Sequence, residues 1–314
     1  MTSTLDSERN ALPAPRLEEV SPGVFAYIQL DGSWGLNNTG FILGPDSVIA
    51  VDTCFTERRS RAFRDAVEKT AGAQRPVRAL INTHHHGDHT HGNFVFLPSA
   101  TIIGHERCRE EVIAAGHSAT SLFPGVDWGD IQIAPPSLTF ADRLELWAGK
   151  LKIELTYMGP AHTTNDIVAW LPERRVLFAG DLIFNGGAPF AFMGSVAGWL
   201  EALGRLKAFG AETIVPGHGS VCGPDAIDAV GDYLRFVQET ARKGSEAGLE
   251  PLELARQTEL GRFGELLDGE RLAGNLHRAY SELRGEPRGA PLPLPAVMAD
   301  IVAYNGGQMP RCLA

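Results

Sequence analysis

Short apolar runs separated by turns open the recognisable part of the chain, a pattern that is typical of β-strands. Between residues 23 and 53 three such runs, GVFAYIQL, TGFILG and SVIAVDT, are divided by polar or glycine-rich stretches. The last two runs are joined by Gly44-Pro45-Asp46, a sequence that favours a tight turn. The pattern therefore predicts a meander of sheet strands.

The pattern then changes to helical spacing. Between residues 57 and 71, apolar residues such as Phe63 and Val67 recur three or four positions apart among charges, which predicts a helix. The run VRALINT, residues 77–83, returns to a buried strand. This strand, helix, strand order ends at a sheet edge where open α/β sheets tend to carry their ligand sites.

A second series of elements fills residues 101–219 in the same style. TIIGHERCREEVIAAG predicts a strand and then a helix, and LTFADRLELWAGKLKIELTYMG predicts two or three antiparallel strands. DIVAWLPERRVLFAGD predicts a hairpin, and GAETIVPGHG predicts one more strand. Two sheets with helices on the outside fit this order best.

Helices follow from Pro224 onward, where Ile227, Val230 and Leu234 recur every three or four residues. PAVMADIVAYNGG closes as a helix with glycine at its C-terminal end. We therefore divide the chain into a disordered tail over residues 1–16, a main domain over residues 17–223 and a helical extension over residues 224–314 that packs on the main domain.

Composition restricts the possible partners. The chain has 314 residues and a formal net charge of -10, which argues against nucleic acid because phosphate binding needs clustered Lys and Arg. The N-terminal sequence has no secretory apolar stretch, and no run approaches the roughly 18 apolar residues of a membrane span. The four cysteines are scattered, which fits reduced thiols. We expect a cytoplasmic protein with no membrane partner.

Five of the ten histidines lie between residues 84 and 91, directly after a predicted strand. His84, His86, Asp88 and His89 form the pattern H-x-H-x-D-H, and imidazole and carboxylate both serve zinc. Alternate residues at a strand end point the same way, so the first two histidines can reach one ion while the last two residues face a second. A flexible histidine-rich tract is disfavoured because such tracts lie in polar low-complexity sequence.

Three further candidates stand at predicted strand ends beside glycine or proline: His162 in GPAHTTND, Asp181 in FAGDLIF and His218 in VPGHG. Small neighbours permit a close approach of the backbone to a shared centre. His85 and His91 fall off the pattern, and we expect them to orient the loop or to face solvent.

The combined order, H-x-H-x-D-H followed by His, Asp and His, resembles the signature of the metallo-β-lactamase-fold superfamily over most of residues 20–220. The resemblance implies an αββα sandwich of two mixed β-sheets with outer helices, and makes residues 17–223 the catalytic domain. It also implies two zinc ions per chain. The implied ligands are His84, His86 and His162 for the first ion, Asp88, His89 and His218 for the second, and Asp181 as the bridge.

Asp181 narrows the implied activity. The dinuclear β-lactamases have cysteine at this position and carry a downstream lysine that has no counterpart here, whereas an aspartate bridge resembles lactonases, thioesterases and other hydrolases. Two ions lower the pKa of a shared water and polarise a carbonyl, and Asp88 could steer the proton. We therefore expect Asp88 and Asp181 to be catalytic. Asp52 of VDT matches an aspartate that supports the ligands in these enzymes.

Sequences around the candidate ligands, and the terminal YNGGQMPRCLA, resemble a bacterial subgroup that includes the second-ring cyclases of aromatic polyketide biosynthesis. The resemblance implies a zinc enzyme that closes a ring of a polyketide held on an acyl carrier protein and releases it by thioester hydrolysis. The alternatives are a hydrolase of small esters, lactones or β-lactams, and a zinc-binding protein without catalysis. A homo-oligomer is left open.

Trp34, Asn37, Phe184 and Asn185 are the predicted substrate contacts. The first two belong to DGSWGLNNTG, a glycine-rich loop with an aromatic tip that can act as a flap over a site. Large apolar side chains near the predicted mouth would suit a flat ligand. These side chains are Trp34, Phe123, Trp128, Phe184, Phe190, Phe192 and Met193.

Overall fold

The computed structural model describes residues 12–314. Over this range two sheets pack face to face with helices outside them, which confirms the predicted αββα sandwich. The predicted tail falls largely on residues 1–11, which lie outside the described residues. Its predicted end is one residue too late, because Arg16 already pairs with Ile28 in the first strand.

The first sheet has seven strands that lie in chain order. The first four strands pair antiparallel and the later ones pair in parallel. Of the two or three antiparallel strands predicted over residues 138–159, two form, and the first run, Leu138–Phe140, joins this sheet in parallel because three residues carry too little alternation to specify a partner. The strands are β1 (Arg16–Ser21), β2 (Val24–Ile28), β3 (Thr39–Leu43), β4 (Val48–Val51), β5 (Val77–Ile81), β6 (Thr101–His105) and β7 (Leu138–Phe140).

The second sheet contains five strands in the order β12-β11-β10-β9-β8. Its strands are β8 (Arg143–Ala148), β9 (Leu151–Tyr157), β10 (Ile167–Leu171), β11 (Val176–Asn185) and β12 (Thr213–Gly219). Neighbours pair antiparallel except for β11 and β12, which run parallel. Two parallel carboxyl ends are thereby placed side by side, which is where the later candidate ligands lie.

Apolar side chains fill the space between the sheets. Ile42 and Val51 of the first sheet belong to the same buried cluster as Ile153, Leu155 and Phe178 of the second. Each fully buried side chain of this size contributes about 1.5–3 kcal/mol relative to exposure. Alternation along each strand therefore fixes which face is turned inward and holds the strand ends in register.

The first long helix, α1 (Glu57–Ala71), has the bounds that the sequence predicts. It begins after Thr56, whose side chain accepts a hydrogen bond from the backbone N–H of Arg59, and ends at Gly72 with a φ of 77°. Phe63 and Val67 on its buried face pack against the outer side of the first sheet.

The other helices cover the sheets and the carboxyl ends of the strands. They are α2 (Gly87–Thr90), α3 (Glu106–Ala115), α4 (Ser118–Leu122), α5 (Val196–Ala208), α6 (Asp225–Glu246), α7 (Pro251–Gln257), α8 (Arg271–Leu283) and α9 (Leu294–Tyr304), with 3₁₀ helices at Asn93–Phe96 and Gly261–Glu265. Among the residues that the structure describes, no helix combines the length and the apolar character that crossing a membrane requires.

The helices after Pro224 share one apolar core with the outer face of the second sheet. Trp199 of α5, Leu234 of α6, Leu276 of α8 and Ile301 of α9 all belong to this cluster. These side chains are fully buried. The division of the chain at residue 223 stays a prediction, but the helices of the extension share this core with the second sheet.

Candidate metal centre

The loop after β5 carries His84 and His86, and α2 follows at once with Asp88 and His89. The side-chain amide of Asn82, at the start of this loop, donates to the backbone carbonyl of His89 at 3.1 Å. The short helix is therefore tied to the end of the strand, and the four polar side chains are held at the carboxyl edge of the first sheet.

The second sheet brings the other three candidates to the same edge. His162 lies in the loop between β9 and β10, Asp181 lies within β11 and His218 lies within β12. The β11–β12 pairing has register shifts between Phe178 and Phe184. Irregularities of this kind re-aim a side chain, which here brings Asp181 to the sheet edge instead of the core.

Seven side chains converge at this edge in two groups. Within each group, one potential ligand atom of each residue lies within 4.8 Å of the others. The first group is His84, His86, His162 and Asp181, and the second is Asp88, His89 and His218. This partition follows the predicted one, and the assignment of the residues as ligands stays a prediction.

Asp181 lies between the two groups. Its Oδ2 atom is 3.3 Å from Nε2 of His162 and 3.9 Å from Nε2 of His84. The same oxygen is 3.5 Å from Nε2 of His218, and Oδ1 is 3.0 Å from Nε2 of His89. One carboxylate therefore reaches both groups, as a bridging ligand must.

Hydrogen bonds fix the orientation of the imidazoles. Nδ1 of His162 lies 2.6 Å from the carbonyl oxygen of Phe190, and Nδ1 of His218 lies 3.0 Å from that of Gly32. A carbonyl oxygen only accepts, so Nδ1 carries the proton in both rings. Nε2 is then the nitrogen that faces the site, and it carries the lone pair whenever the ring is neutral.

Asp52 takes the supporting position that the sequence predicts. Its Oδ2 atom is 2.8 Å from Nδ1 of His89, and the carboxylate accepts from the backbone N–H and the hydroxyl of Thr83, both at 2.7 Å. The hydroxyl of Thr83 in turn lies 3.1 Å from Nδ1 of His84. One buried carboxylate thus orients a ring in each group.

Several buried polar atoms of the site make no hydrogen bond. They include Nε2 of His84, Nε2 of His89 and Oδ1 of Asp181. A buried polar atom without a partner costs about 1–3 kcal/mol. Imidazole nitrogen and carboxylate oxygen are the donors that zinc takes, so the residues present fit a pair of metal ions.

Burial sets the charge of the first group. It lowers the pKa of His84 and of His86 well below the ordinary value, and it also lowers the pKa of His162. A neutral imidazole is the form that binds a metal. These three rings are therefore neutral at physiological pH without any metal.

Carboxylates reverse this balance in the second group. Burial alone would lower the pKa of His218, but Asp181 and Asp88 outweigh it and raise the pKa to about 9. Burial is likewise outweighed at His89, where Asp181 and Asp52 raise the pKa well above its ordinary value. Both rings are therefore positively charged at neutral pH in the metal-free protein, and their charge balances that of the carboxylates.

His85 and His91 do not face solvent, although the sequence left that open. Nδ1 of His85 accepts from the side-chain amide of Asn165 at 2.9 Å. His91 stacks on the ring of Phe55, with centroids 5.4 Å apart. Both rings are buried and orient the loop, which is the other role that the sequence allowed.

An open cleft, about 1190 Å³ together with the solvent at its mouth, leads to the candidate metal centre. His86, Asp88, His162, Asp181 and His218 lie at its base. Its walls are largely apolar, and of the large side chains predicted at the mouth only Trp128 does not line it, because that ring packs against Phe55 at 4.6 Å. The lining side chains from that prediction are Trp34, Phe123, Phe184, Phe190, Phe192 and Met193.

Two of the predicted substrate contacts are wrong. Asn37 is fully buried, and its side-chain amide donates to the backbone carbonyl of Thr53 at 2.8 Å. The amide of Asn185 donates to the backbone carbonyl of Ser220 at 2.9 Å, and the residue does not line the cleft. Both amides are used to join backbone segments below the site.

The loop of residues 31–40 is not a flap. Its Gly32 lies so close to β12 that an added Cβ would stand 2.6 Å from the backbone nitrogen of Gly219, and Leu36 is fully buried. At the tip, Nε1 of Trp34 donates to Glu270 at 2.7 Å. The loop is a fixed wall of the cleft, held from both sides.

Two residues of the site were not found from the sequence. Asp166 accepts from the backbone N–H of Thr163 at 2.8 Å and so shapes the turn that carries His162. Its place in GPAHTTND was a signal that could have indicated it. Arg271 lines the cleft from the first position of α8, and nothing in its spacing connects it with the ligands.

Comparison with known proteins assigns the family. The model of the Metallo-beta-lactamase superfamily matches residues 32–218. The solved metallo-beta-lactamase from Pontibacter korlensis is similar in fold, with a TM-score of 0.59 and 18% sequence identity over 70% of this chain and 99% of that one.

Two curated relatives extend the comparison. The chain is 29% identical to the 2,4-dinitroanisole O-demethylase subunit alpha of Nocardioides sp. over 65% of this chain and 55% of that relative. It is 32% identical to the hydroxyacylglutathione hydrolase of Rhodospirillum rubrum over 43% of this chain and 45% of that relative. The chain thus spans about half the length of each. Together, the fold, the convergent His and Asp side chains and the match over residues 32–218 show that the chain belongs to the metallo-beta-lactamase superfamily, whose members are metal-dependent hydrolases.

Proposed function

We propose that this chain is a two-zinc hydrolase of an ester or thioester with a large apolar part. The observation that carries the proposal is the position of Asp181, whose two oxygens face both groups of imidazoles at the base of an apolar cleft. A closed structural zinc site needs four ligands. With Asp181 as the bridge each ion would have four protein ligands, but an open cleft reaches the candidate ligands of both, which favours catalysis over metal storage.

A bound pair of zinc ions would cause a bound water to ionise near neutral pH, and it would also polarise a carbonyl oxygen. The residues of the chain would hold the ions and orient the groups that react. Asp88 is more exposed than the other candidate ligands of its group, and its Oδ2 atom lies 3.3 Å from Nε2 of His218. Its carboxylate at the floor of the cleft can accept a proton and pass it to a leaving group.

The walls of the cleft support an apolar substrate. Phe184 stacks on His218 with an interplanar angle of 6°, so an aromatic surface continues from the wall to the metal centre. Trp34 and Phe190 meet edge to face at 5.2 Å on the same wall. Flat or extended apolar groups pack against such surfaces and exclude water from the reacting carbonyl.

The size and aromatic walls of this cleft also favour a second candidate, the cyclase and thioesterase acting on a carrier-bound polyketide. Zinc held by the same residues would supply positive charge against a negative charge developing on a substrate oxygen, which an aldol closure also needs. An acidic carrier protein would need a basic rim. Arg107 and Arg109, at the start of the helix α3 whose Val112 and Ala115 line the cleft, would have to supply it.

The test is hydrolysis of aryl esters, acyl-thioesters, lactones and a cephalosporin by the zinc-loaded protein and by Asp88→Asn. We expect turnover of an ester or thioester that is lost on chelation and restored by zinc. The variant should bind the second ion more weakly, and its kcat at saturating zinc should be about 10²- to 10⁴-fold lower. A protein that holds two zinc ions but hydrolyses none of these compounds contradicts the proposal.

The second candidate has its own test. The zinc-loaded protein is added to a polyketide-forming mixture, and the products are separated with and without it. A change in the ring pattern that requires Asp181 supports the cyclase. An unchanged product pattern with an intact metal centre eliminates it and leaves the simple hydrolase.

A further inference from the structure

Arg271 introduces a positive charge into a wall of the cleft that is otherwise apolar. It stands at the first position of α8, and its side chain is only 2% exposed. Within residues 12–314 it is the one Lys or Arg that lines the cleft. A buried cation at this position is costly unless it has a partner, so its surroundings show what it can bind.

The guanidinium group is held rigidly. Nη1 donates to the backbone carbonyl of Ala188 at 2.9 Å, and Nη2 lies 2.8 Å from Oδ2 of Asp268. The ring of Trp34 covers the group at 4.2 Å, and the ring of Phe184 lies 5.1 Å away. Any additional partner must approach in the plane of the guanidinium, where the N–H groups point.

One in-plane donor is unused. Nε of Arg271 is buried and has no hydrogen-bond partner. The N–H groups of a guanidinium match the two oxygens of a carboxylate. We propose that Arg271 binds a carboxylate of the substrate, which makes the substrate an anionic ester or thioester; this inference rests on the proposed hydrolase.

Phe184 contacts both Arg271 and the candidate metal centre. Its ring centroid lies 5.1 Å from the guanidinium, and the ring stacks on that of His218 with centroids 5.1 Å apart. The carboxylate and the hydrolysed bond of that substrate therefore lie beside the same aromatic ring. Asp88 and Asp181, the carboxylates at the base of the cleft, would be occupied by metal and would leave Arg271 to select for an anion.

A matched pair of substrates tests this selection. The esters 4-carboxyphenyl butyrate and 4-carbamoylphenyl butyrate have similar size, but only the first is charged at pH 7.5. We expect the zinc-loaded wild type to prefer the charged ester in kcat/KM by at least about tenfold, as one charge-assisted hydrogen bond implies. In Arg271→Met the ratio should fall to about one.

The control is Arg262→Met. Arg262 also lies over an aromatic ring, that of Phe263, and pairs with Asp232, but it is exposed and does not line the cleft. This variant should keep the wild-type ratio. A wild type without preference, or a preference that survives Arg271→Met, overturns the inference while hydrolysis of the uncharged ester upholds the proposed function.

Direct binding decides the inference if neither ester is hydrolysed. Benzoate should bind zinc-loaded wild type at least about tenfold more tightly than it binds Arg271→Met, whereas benzamide should bind both alike. Asp268→Asn removes the competing carboxylate and should strengthen benzoate binding. If the Arg271–Asp268 pair is purely structural, Arg271→Met and Asp268→Asn both weaken the fold and both lower the affinity for benzoate. That result, or equal benzoate affinities of wild type and Arg271→Met, overturns the inference.

Discussion

Asp181 joins the two halves of the candidate site, and its charge depends on its neighbours. Burial alone would raise its pKa, but the imidazoles of His218, His89 and His162 hold the pKa well below the usual range. The carboxylate is therefore ionised at neutral pH. Cysteine at this position would offer a single sulfur atom and could not place two separate donor atoms between the same rings.

Asp52 should control metal affinity although it is no predicted ligand. Asp52→Asn keeps the size of the side chain but removes the charge that orients His89 at 2.8 Å. We expect zinc affinity to fall about 10- to 100-fold, measured by competition with a chromogenic chelator. Asp46→Asn, in the exposed turn before β4, should keep wild-type affinity. Equal affinities of both variants would contradict the role given to Asp52.

Metal binding should release protons. His218, with a pKa near 9, and His89 are protonated at pH 7 in the metal-free protein, and a metal displaces both protons. Zinc affinity should therefore rise with pH from 7 through about 9, where His218 titrates. Calorimetric titration at pH 7 in buffers of different ionisation enthalpy should detect at least about two protons released. His218→Ala should release one fewer, and release of less than one by the wild type contradicts these charge states.

At the scale of elements, the close approach of β11 and β12 shapes the site. An added Cβ at Gly217 would overlap Oδ1 of Asp181 and stand 2.7 Å from the carbonyl carbon of Gly180. Gly217→Ala must therefore push the strands apart or displace the carboxylate. We expect it to weaken zinc binding by at least about tenfold, the lower end of the effect of disturbing a supporting group.

The matched control for Gly217→Ala is Gly223→Ala. Gly223 lies just beyond β12, and an added Cβ there would meet no atom within 4 Å. This variant should bind zinc as the wild type does. If both variants bind alike, the two strands are looser than their packing indicates.

Elements with clear periodicity could be predicted, and irregular ones could not. The helix over residues 57–71 has its predicted bounds because a polar cap, an apolar stripe and a final glycine all agree. The glycine-rich loop of residues 31–40 predicts a flap, but Gly32 serves a close contact with β12 and Gly35 serves one with the ring of Phe55. Local sequence does not record such a contact, since its partner lies far along the chain.

The same distinction applies to the side chains of the site. The seven candidate ligands could be predicted because their residue types suit a metal and their order resembles a family. Asn37 and Asn185 are as polar as many substrate contacts, but in the fold their amides satisfy backbone carbonyls. Arg271 comes from the helical extension and reaches the cleft only through tertiary packing.

At the scale of the whole molecule, one core joins the second sheet to the C-terminal helices. We therefore expect a single calorimetric unfolding transition. Leu276→Ala, at a fully buried position of α8, should destabilise that transition by about 2–5 kcal/mol. Leu283→Ala, on the same helix but 50% exposed, should change stability by less than about 0.5 kcal/mol. A shared core would be contradicted by two separate transitions of which only one, that of the C-terminal helices, responds to Leu276→Ala.

Stepwise addition of zinc to the metal-free protein, with ester hydrolysis measured at each step, tests the two-metal centre most directly. The geometry of Asp181 between two groups of imidazoles predicts tight uptake of two ions per chain, with activity that reaches its maximum at the second equivalent. In Asp181→Ala the second ion should bind weakly and activity should be lost. Full activity at one equivalent, or tight binding of two ions by Asp181→Ala with undiminished hydrolysis, would contradict the bridging role and the proposed reaction.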